Sequence, residues 1–283
     1  MKRELKVALV CSRSEPGETA ANLANHAAWT ERAAAEGAGF VGFPECSLTG
    51  YVQAPDVALR LDGPEVAQFV GLAHRHKVFL SAGLVERRAG RFYNTQIMAG
   101  PRGMLGVMRK INLTRAEQRF FTGGGEFPIF SVGPAAMGIA ICADATHYAT
   151  PHVLSLRGAE VVFSPHATYL KNTPASWKRW RRERWPLYAR DCGAWLIGCN
   201  HAGCGERPVT GQQNLRFASG AMIVDPRGNV VAATRSRRNR EEMLVASIPL
   251  DGIGTLRGTL PAFTGFRKDV FYRGLMPRPD GSM

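Results

Sequence analysis

The sequence contains no uninterrupted apolar stretch of about 18 residues, the minimum for a helix that spans a bilayer. Its first residues, MKRELKVALV, include basic side chains but turn directly into a strand-like pattern. They lack the apolar core and the small-residue cleavage site of a secretory signal peptide. We therefore expect a protein that neither crosses a membrane nor is exported, and we predict a cytoplasmic location.

Cysteine is scarce and is not arranged as a metal site. None of the six cysteines forms a Cys-x-x-Cys pair or clusters with histidines at the spacing of zinc ligands. Without an export signal, this pattern indicates reduced thiols and no bound metal. We expect most of them to be small buried apolar residues, which leaves room for one nucleophile. The cysteines are Cys11, Cys46, Cys142, Cys192, Cys199 and Cys204.

Nucleic-acid-binding signatures are also missing, although the formal net charge of +13 would suit such a partner. We find no helix-turn-helix, zinc-finger or RNA-recognition motif, and the basic residues are spread along the chain. The densest basic groups are residues 178–184 and 235–240. Because runs of this kind usually form a solvated helix face, we do not expect a nucleic acid partner. An acidic substrate or partner would suit the same charge.

Strand-like and helix-like segments alternate along the 283 residues, which is typical of a layered α/β sandwich of mixed sheets. No low-complexity linker interrupts the chain, so we predict one domain over residues 1–260. For residues 261–283 we predict an aperiodic tail that packs on a partner subunit. The predicted helices are Glu18–Gly37, Pro64–His76, His152–Gly158 and Ala175–Asp191. The predicted strands are Lys6–Val10, Gly39–Phe43, Val78–Val85, Tyr93–Ala99, Gly106–Arg109, Phe127–Val132, Met137–Ile141, Val161–Phe163 and Trp195–Cys199, with a hairpin turn at Arg88–Arg91 and two more strands around Asp225–Gly228.

Three predicted strands end in groups that can perform chemistry. Glu45 follows the strand in GFPECSLTGY (residues 42–51), Lys110 follows Gly106–Arg109, and Cys142 ends the strand in MGIAICAD. Functional groups of open α/β sheets gather at the carboxyl ends of strands. A surface strand could end in a carboxylate by accident, whereas an active site would need one.

These residue types suit a cysteine nucleophile, which needs a base to form its thiolate and a cation to stabilise it. Glu45 would take the thiol proton and later give it to a leaving amine. Lys110 would stabilise the thiolate and then an oxyanion, with the backbone N–H of Ala143 as a second oxyanion donor. Taken singly, each residue has an ordinary structural alternative, and a lone Cys142 would more often be an inert core thiol.

The motifs around these residues resemble those of the carbon–nitrogen hydrolases of the nitrilase superfamily, over nearly the whole chain. GFPECSLTGY is similar to the family's glutamate motif, RKINLTRAEQRFFTGG (109–124) to its lysine motif, and GIAICAD (138–144) to its cysteine motif. Weaker similarity covers residues 156–167 and 217–232, and Asn200 after a strand.

The resemblance implies a catalytic triad of Glu45, Lys110 and Cys142, and a second glutamate, Glu117, that orients the lysine or the attacking water. It also implies a four-layer α-β-β-α sandwich, homodimers or larger assemblies, and neither cofactor nor metal. The chain departs from the family after the cysteine, where Ala143 replaces a frequent aromatic residue and a Phe-Pro-Glu stretch is absent. In this altered segment His147 could touch substrate, and we add it and Asn200 to the candidate substrate-binding residues.

We therefore predict a hydrolase that cleaves a non-peptide C–N bond of a small amide or N-carbamoyl compound through a cysteine thioester, releasing ammonia or an amine. The sequence leaves three alternatives open. The thiolate could hydrolyse a nitrile through a thioimidate, or pass the acyl group to an acceptor other than water. The third alternative is non-enzymatic, a basic nucleic-acid-binding or scaffold protein whose binding depends strongly on salt.

Overall fold

Twelve strands form two six-stranded mixed sheets in the computed structural model, which describes residues 2–168, 174–203, 217–234, 240–265 and 267–273. In spatial order, the first sheet contains β12 (Glu242–Pro249), β1 (Glu4–Cys11), β2 (Phe40–Gly42), β3 (Phe79–Arg88), β4 (Arg91–Gly100) and β5 (Gly103–Arg109). The second contains β11 (Val230–Ala233), β10 (Ala221–Val224), β9 (Trp195–Asn200), β8 (Val161–His166), β7 (Ala135–Ile139) and β6 (Ile129–Val132). The helices are α1 (Thr19–Ala35), α2 (Pro64–His76), α3 (Ala149–Leu156), α4 (Pro174–Cys192), α5 (Ile253–Arg257), α6 (Pro261–Thr264) and α7 (Lys268–Arg273).

Strand β1 shows why the apolar runs of this sequence form strands. Val7 and Leu9 pack between the two sheets, whereas Ala8 and Val10 pack on the opposite face against helices. Because successive side chains of a strand point to opposite faces, a strand covered on both sides is apolar at every position. The run VALV, residues 7–10, has this composition.

The hydrophobic core lies in three layers between four layers of secondary structure. Between the sheets, Phe40 of β2 meets Phe163 of β8 edge to face, with ring centroids 5.3 Å apart. Helices α1 and α2 cover the outer face of the first sheet through side chains such as Trp29 and Phe69. Helices α3 and α4 cover the second sheet, with Trp185 fully buried. This arrangement confirms the predicted α-β-β-α sandwich.

The hairpin between β3 and β4 forms at the predicted turn. Arg88 pairs with Arg91, which leaves Ala89 and Gly90 as a two-residue loop. Both loop residues have positive φ, +46° and +73°, as a type I′ turn requires. This turn sets the register that later places polar side chains of β4 beside the site.

In the C-terminal part of the chain, the structure corrects the sequence prediction. Strand β12 was missed, although it pairs with β1 along its whole length from Glu4↔Pro249 to Cys11↔Glu242. Most of its residues are partly exposed at the sheet edge, which weakens the alternation of apolar and polar residues that indicates a strand. The tail predicted to be aperiodic contains α6 and α7, which are too short to show helical periodicity. Residues 274–283, predicted to pack on a partner subunit, lie outside the described residues.

The basic groups of the sequence are only partly described. In the first group, Arg179, Arg182 and Arg184 are exposed on α4, as predicted for a solvated helix face, whereas Arg181 is buried. Residues 235–239 of the second group lie outside the described residues. Among the helices that the structure describes, none is both long and apolar enough to cross a bilayer.

Gly42 provides a test of the contact between the sheets. A Cβ at this position would lie 2.7 Å from two ring carbons of Phe163. We predict that Gly42→Ala lowers the free energy of unfolding by about 1–3 kcal/mol, because a buried ring must shift in a filled core. Chemical denaturation measures the change.

Gly71→Ala is the matched control for this substitution. Gly71 is exposed on α2, and an added methyl group would have no atom within 4 Å beyond its own helix backbone and chain neighbours. Alanine should therefore raise the free energy of unfolding by about 0.5–1 kcal/mol through helix propensity. A Gly42→Ala protein as stable as the wild type would contradict the packing described for the two sheets.

Candidate active site

The carboxyl ends of strands from both sheets meet at one edge of the sandwich. In the first sheet, β2 and β5 run in the same direction, because β2 is parallel to β3 and β5 is related to β3 by two antiparallel pairings. Glu45 follows β2 and Lys110 follows β5, while β7 of the second sheet leads to Cys142. The charges of these three side chains act on one another. The structure thus brings the three predicted residues together.

The ammonium of Lys110 lies between two carboxylates. Its Nζ is 2.6 Å from Oε1 of Glu45 and 2.7 Å from Oε1 of Glu117. The exposed fraction of each of these side chains is 1% or less. Charges at such depth are tolerated only when they are paired and hydrogen-bonded. Glu117, inferred from family resemblance alone, therefore lies in the same charged group as Glu45.

Neutral donors complete the hydrogen bonding of the two carboxylates. The side-chain Nδ2 of Asn94, on β4, donates to Oε1 of Glu45 at 2.7 Å and to Oε1 of Glu117 at 3.3 Å. The backbone N–H of Ala167 donates to Oε2 of Glu45 at 2.8 Å. The hydroxyl of Tyr51 donates to Oε1 of Glu117 at 3.0 Å. Both carboxylates are thus stabilised by dipoles as well as by Lys110.

A capping box fixes the orientation of Glu117, which begins the 3₁₀ turn Glu117–Arg119. Its Oε2 accepts a hydrogen bond from the N–H of Thr114 at 2.8 Å, and its own N–H donates to Oγ1 of Thr114 at 3.3 Å. This reciprocal pair is the arrangement expected of a T-x-x-E sequence. The local sequence TRAE therefore directs the other carboxylate oxygen toward Lys110.

The shared ammonium and the depth of the site separate the pKa values of the two carboxyls. Burial raises the pKa of Glu45, and the opposing effect of Lys110 does not cancel it. For Glu117 the effect of burial is outweighed by Lys110 and by hydrogen bonds from Thr114, so its pKa is lowered. Burial also disfavours the charged form of Lys110, but the negative groups around it, Glu45 foremost, raise its pKa well above the usual value. Glu45 is therefore the carboxyl that takes up a proton more readily.

Cys142 begins the 3₁₀ turn Cys142–Thr146 in a left-handed backbone conformation, with φ of +44°. Residues other than glycine adopt this conformation at a cost, and such strain is concentrated at functional sites. The turn also ends β7 at Ile139, earlier than predicted. Although the residue is partly exposed, burial and the negative charge of Glu45 raise the pKa of its thiol to about 12. The resting thiol is therefore protonated.

Asp144 ties the turn of Cys142 to the segment that follows Lys110. Its buried carboxylate accepts hydrogen bonds from the backbone N–H of Ile111 at 3.2 Å and from that of Asn112 at 2.7 Å. The side-chain amide of Asn112 donates to the same oxygen at 3.0 Å. Although these bonds favour the carboxylate, burial raises its pKa to about 6. The turn of Cys142 and the segment after Lys110 are thus held by one shared carboxylate.

The remaining predicted residues lie at different distances from the thiol. Asn200, at the end of β9, bonds both backbone groups of Thr168 at 2.9 Å, accepting from its N–H and donating to its carbonyl. The hydroxyl oxygen of Thr168 is 3.9 Å from Sγ of Cys142, so Asn200 reaches the thiol through Thr168. Ala143 is partly buried directly after Cys142, and His147 is exposed at the end of the 3₁₀ turn.

The loop that carries Glu45 is held from three sides. A Cβ at Gly83 of β3 would lie only 2.1 Å from a backbone nitrogen of this loop, so a glycine is needed for the close approach. His201 donates from Nε2 to the carbonyl oxygen of Glu45 at 2.6 Å. On the other side, Nε2 of His26 lies 2.9 Å from Oγ of Ser47. These contacts fix the backbone from which the carboxylate projects.

A family model described as carbon-nitrogen hydrolase matches residues 6–258. This chain belongs to the carbon–nitrogen hydrolase family. Among curated relatives, omega-amidase NIT2 of Homo sapiens is 27% identical, with 88% of this chain and 91% of the relative covered. An (R)-stereoselective amidase of Pseudomonas sp. is 29% identical over 80% of each chain. A nitrilase of Pyrococcus abyssi is 26% identical over 87% of this chain and 90% of the relative.

Solved structures of other carbon–nitrogen hydrolases share the fold. One from Helicobacter pylori G27 aligns with a TM-score of 0.82 at 23% identity, covering 98% of this chain and 99% of that one. Two structures of an amidase from Nesterenkonia sp. each align with a TM-score of 0.77 at 20% identity and cover 97% of this chain. The alignments cover 97% and 98% of the amidase chain, respectively. Both structures are of mutants of that amidase, and in one of them the acetamide moiety of fluoroacetamide is added covalently at the active-site cysteine. At these identities the likeness supports the fold.

Sequence reasoning found the charged residues of this carbon–nitrogen hydrolase and missed the neutral or local groups that hold them. Asn94 lies within the predicted strand Tyr93–Ala99. A polar residue in this otherwise buried part of the strand was the sequence signal that could have indicated it. Tyr51 stands in the quoted glutamate motif, and Asp144 lies two residues after the predicted nucleophile. Within the described ranges, no group of three or more histidine, cysteine, aspartate or glutamate side chains is arranged to hold a metal ion.

The histidines beside the Glu45 loop predict sensitivity to acid. Burial lowers the pKa of His26 and of His201 to about 4, from an ordinary value of 6.5. Between these values the unfolded chain binds more protons than the folded protein does. The stability that these histidines contribute is therefore complete above pH 6.5 and falls as the pH approaches 4, by up to about 3 kcal/mol for each.

Urea denaturation at about pH 7 and about pH 4.5 measures this loss of stability. We expect His201→Gln to lose less free energy of unfolding between the two pH values than the wild type loses. His147→Gln is the control, because His147 is exposed, and it should keep the wild-type difference. If His201→Gln and the wild type lost the same amount, the assignment of His201 as a buried neutral histidine would be wrong.

Proposed function

We propose that this protein is a cysteine hydrolase that cleaves the C–N bond of a small amide or N-carbamoyl compound. The observation that carries the proposal is a buried ammonium, that of Lys110, shared by Glu45 and Glu117 beside the thiol of Cys142. A nucleophile, a proton acceptor of raised pKa and a fixed cation are the groups that acyl transfer to a thiol needs.

In the first step, Cys142 gives its proton to Glu45 and its sulfur attacks the carbonyl carbon. The thiol pKa of about 12 argues against a resting thiolate, and the raised pKa of Glu45 suits a proton acceptor. The transfer moves a negative charge from the carboxylate to the sulfur and leaves the total charge of the buried site unchanged. No additional net charge has to be removed from water, and Lys110 stays beside both groups.

The carbonyl oxygen becomes an oxyanion that Lys110 and the N–H of Ala143 stabilise. An ammonium has three N–H donors, of which two bind Glu45 and Glu117 in the resting site. The third is assigned to the oxyanion. The amide of Ala143, which follows Cys142 on the strained turn, is assigned as the second donor to this oxygen. Donors fixed before the reaction are effective where water is excluded.

Collapse of the tetrahedral intermediate breaks the C–N bond, and the amine leaves with the proton that Glu45 took from Cys142. The acyl group is then a thioester on Cys142. A water molecule gives a proton to Glu45 and attacks the thioester carbon. The thiolate leaves and takes the proton back, which restores the resting site. Glu117 stays ionised, keeps Lys110 in place and helps to position the water.

Relatives support an amide as the substrate class. Two of the curated relatives are named an omega-amidase and an (R)-stereoselective amidase. In a mutant of the Nesterenkonia amidase, a fluoroacetamide-derived group is bonded to the active-site cysteine, and we likewise assign the thioester of this chain to a cysteine. The predicted N-carbamoyl compounds present the same carbonyl carbon and the same type of leaving group.

Nitrile hydrolysis is the second candidate, favoured by the relative from Pyrococcus abyssi that is named a nitrilase. The same thiolate would add to a nitrile carbon to give a thioimidate, and water would then release ammonia. Acyl transfer to another acceptor uses the same thioester. The cytoplasmic location and the homodimer or larger homo-oligomer stay predictions from the sequence.

Ammonia release from small amides, N-carbamoyl amino acids and nitriles tests the proposal. We expect release by the wild type and a loss of about a thousand-fold or more in Cys142→Ala, because the covalent step is removed. Cys192→Ala is the matched control: Cys192 is buried in α4, outside the charged group, and its loss should leave release near the wild-type rate. The class of compound that is hydrolysed fastest identifies the substrate class.

Undiminished ammonia release by Cys142→Ala would contradict the mechanism, since Cys142 is the residue to which it assigns the thioester. Release from nitriles and not from amides would overturn the amide assignment in favour of the second candidate. A mobility shift of DNA or RNA that disappears at moderate salt, without any hydrolysis, would favour the non-enzymatic alternative.

A further inference from the structure

The two carboxylate oxygens of Glu45 have different hydrogen-bond partners. Oε1 accepts from Nζ of Lys110 at 2.6 Å and from Nδ2 of Asn94 at 2.7 Å. Oε2 accepts from the backbone N–H of Ala167 at 2.8 Å. Each carboxylate oxygen has two lone-pair positions. Both positions of Oε1 are thus in use, whereas Oε2 can receive a proton without losing the bond from Ala167.

The amide of Asn94 has one orientation that satisfies all its neighbours. Its two N–H groups point to the carboxylates of Glu45 and Glu117, and its Oδ1 accepts from Sγ of Cys46 at 3.4 Å. Burial raises the pKa of Cys46 well above the usual value, so this thiol keeps its proton and donates it. The reversed amide would point its oxygen at two negative groups. Asn94 is therefore a donor to both carboxylates.

We propose that Asn94 is a positioning residue that reserves Oε2 of Glu45 for the proton exchanged with Cys142. By occupying the second lone pair of Oε1, it prevents that oxygen from taking the proton while Lys110 is bound there. It also stabilises the ionised form of Glu45, which must be present before the thiol can react. This inference rests on the proposed function, in which Glu45 is the base.

The titratable groups around Glu45 come from several elements, and substitution of Asn94 removes none of them, although Glu117 and Cys46 each lose a hydrogen bond to Asn94. They are Lys110 after β5, Glu117 in its 3₁₀ turn, Cys142 in the turn after β7, Cys46 and Tyr51 in the loop of Glu45 itself, and His201 after β9. A change in the ionisation of Glu45 in an Asn94 variant therefore reports the lost donor.

Alkylation of Cys142 by iodoacetamide, followed as a function of pH, tests the inference without knowledge of the substrate. The thiol loses its proton to Glu45, so the rate falls at low pH as Glu45 becomes protonated. Asn94→Leu has a similar volume and removes both N–H donors. A hydrogen bond to a charged group contributes about 1.5–3 kcal/mol. We therefore expect the acid limb, the low-pH range in which the alkylation rate falls, to move about one to two units to higher pH.

Gln96→Leu is the matched control on the same face of β4. Gln96 is also a buried amide, but its Nε2 donates to the carbonyl of Phe43 at 3.1 Å and to Oγ of Ser81 at 3.2 Å. Its loss weakens the strand without touching a carboxylate, so the acid limb should stay at the wild-type pH. Modification is read from the mass of the Cys142 peptide, which excludes signals from other thiols.

An acid limb that stays in place in Asn94→Leu, or moves equally in both variants, would overturn the inference. If Asn94→Leu does not fold, Asn94→Ala removes the same donors with less steric demand and should move the limb in the same direction. The proposed function fails on different evidence, namely undiminished ammonia release by Cys142→Ala. The two outcomes are therefore distinguishable.

Discussion

An ammonium buried between two carboxylates is the interaction on which the rest of this site depends. Removing such ions from water costs several kcal/mol each, and the cost is offset only if every charge is paired and hydrogen-bonded. Lys110 meets that condition because β2 and β5 run in the same direction, so that the segments after them meet at one edge of the sheet and bring Glu45 within 2.6 Å. Glu117 supplies the second partner from a short turn. The sandwich thus brings the ends of separate strands to one edge, where these charged side chains are buried.

The same ammonium gives its two partners different chemistry because their surroundings differ. Glu117 belongs to a capping box with Thr114, which favours its ionised form. Glu45 projects from a loop packed against Gly83 and His201, and there the effect of burial is the largest, so its pKa is raised. One carboxyl therefore stays charged and holds the lysine, and the other is suited to exchange a proton. This division follows from local structure, since both residues are glutamates.

Much of this was predictable, because three reactive groups each follow a short apolar run and strand ends gather at one edge. The parts that were missed depend on pairing between distant segments. Asn94 reaches the carboxylates because it stands opposite Val85 in the β3–β4 register, which a list of apolar positions does not specify. Asn200 stays a predicted substrate-binding residue, and its hydrogen bonds to the backbone of Thr168 were not predicted. β12 was not predicted because most of its residues are partly exposed, and its partner strand lies at the other end of the chain.

The central claim is that Cys142 carries the acyl group during turnover. The most direct measurement is mass spectrometry of wild-type protein quenched rapidly in acid while it hydrolyses an amide. We predict a transient species heavier than the free protein by the mass of the amide less ammonia, with the added group on the peptide that contains Cys142. Turnover with the added group on another residue, or with no adduct at Cys142 at any quench time, would contradict the account.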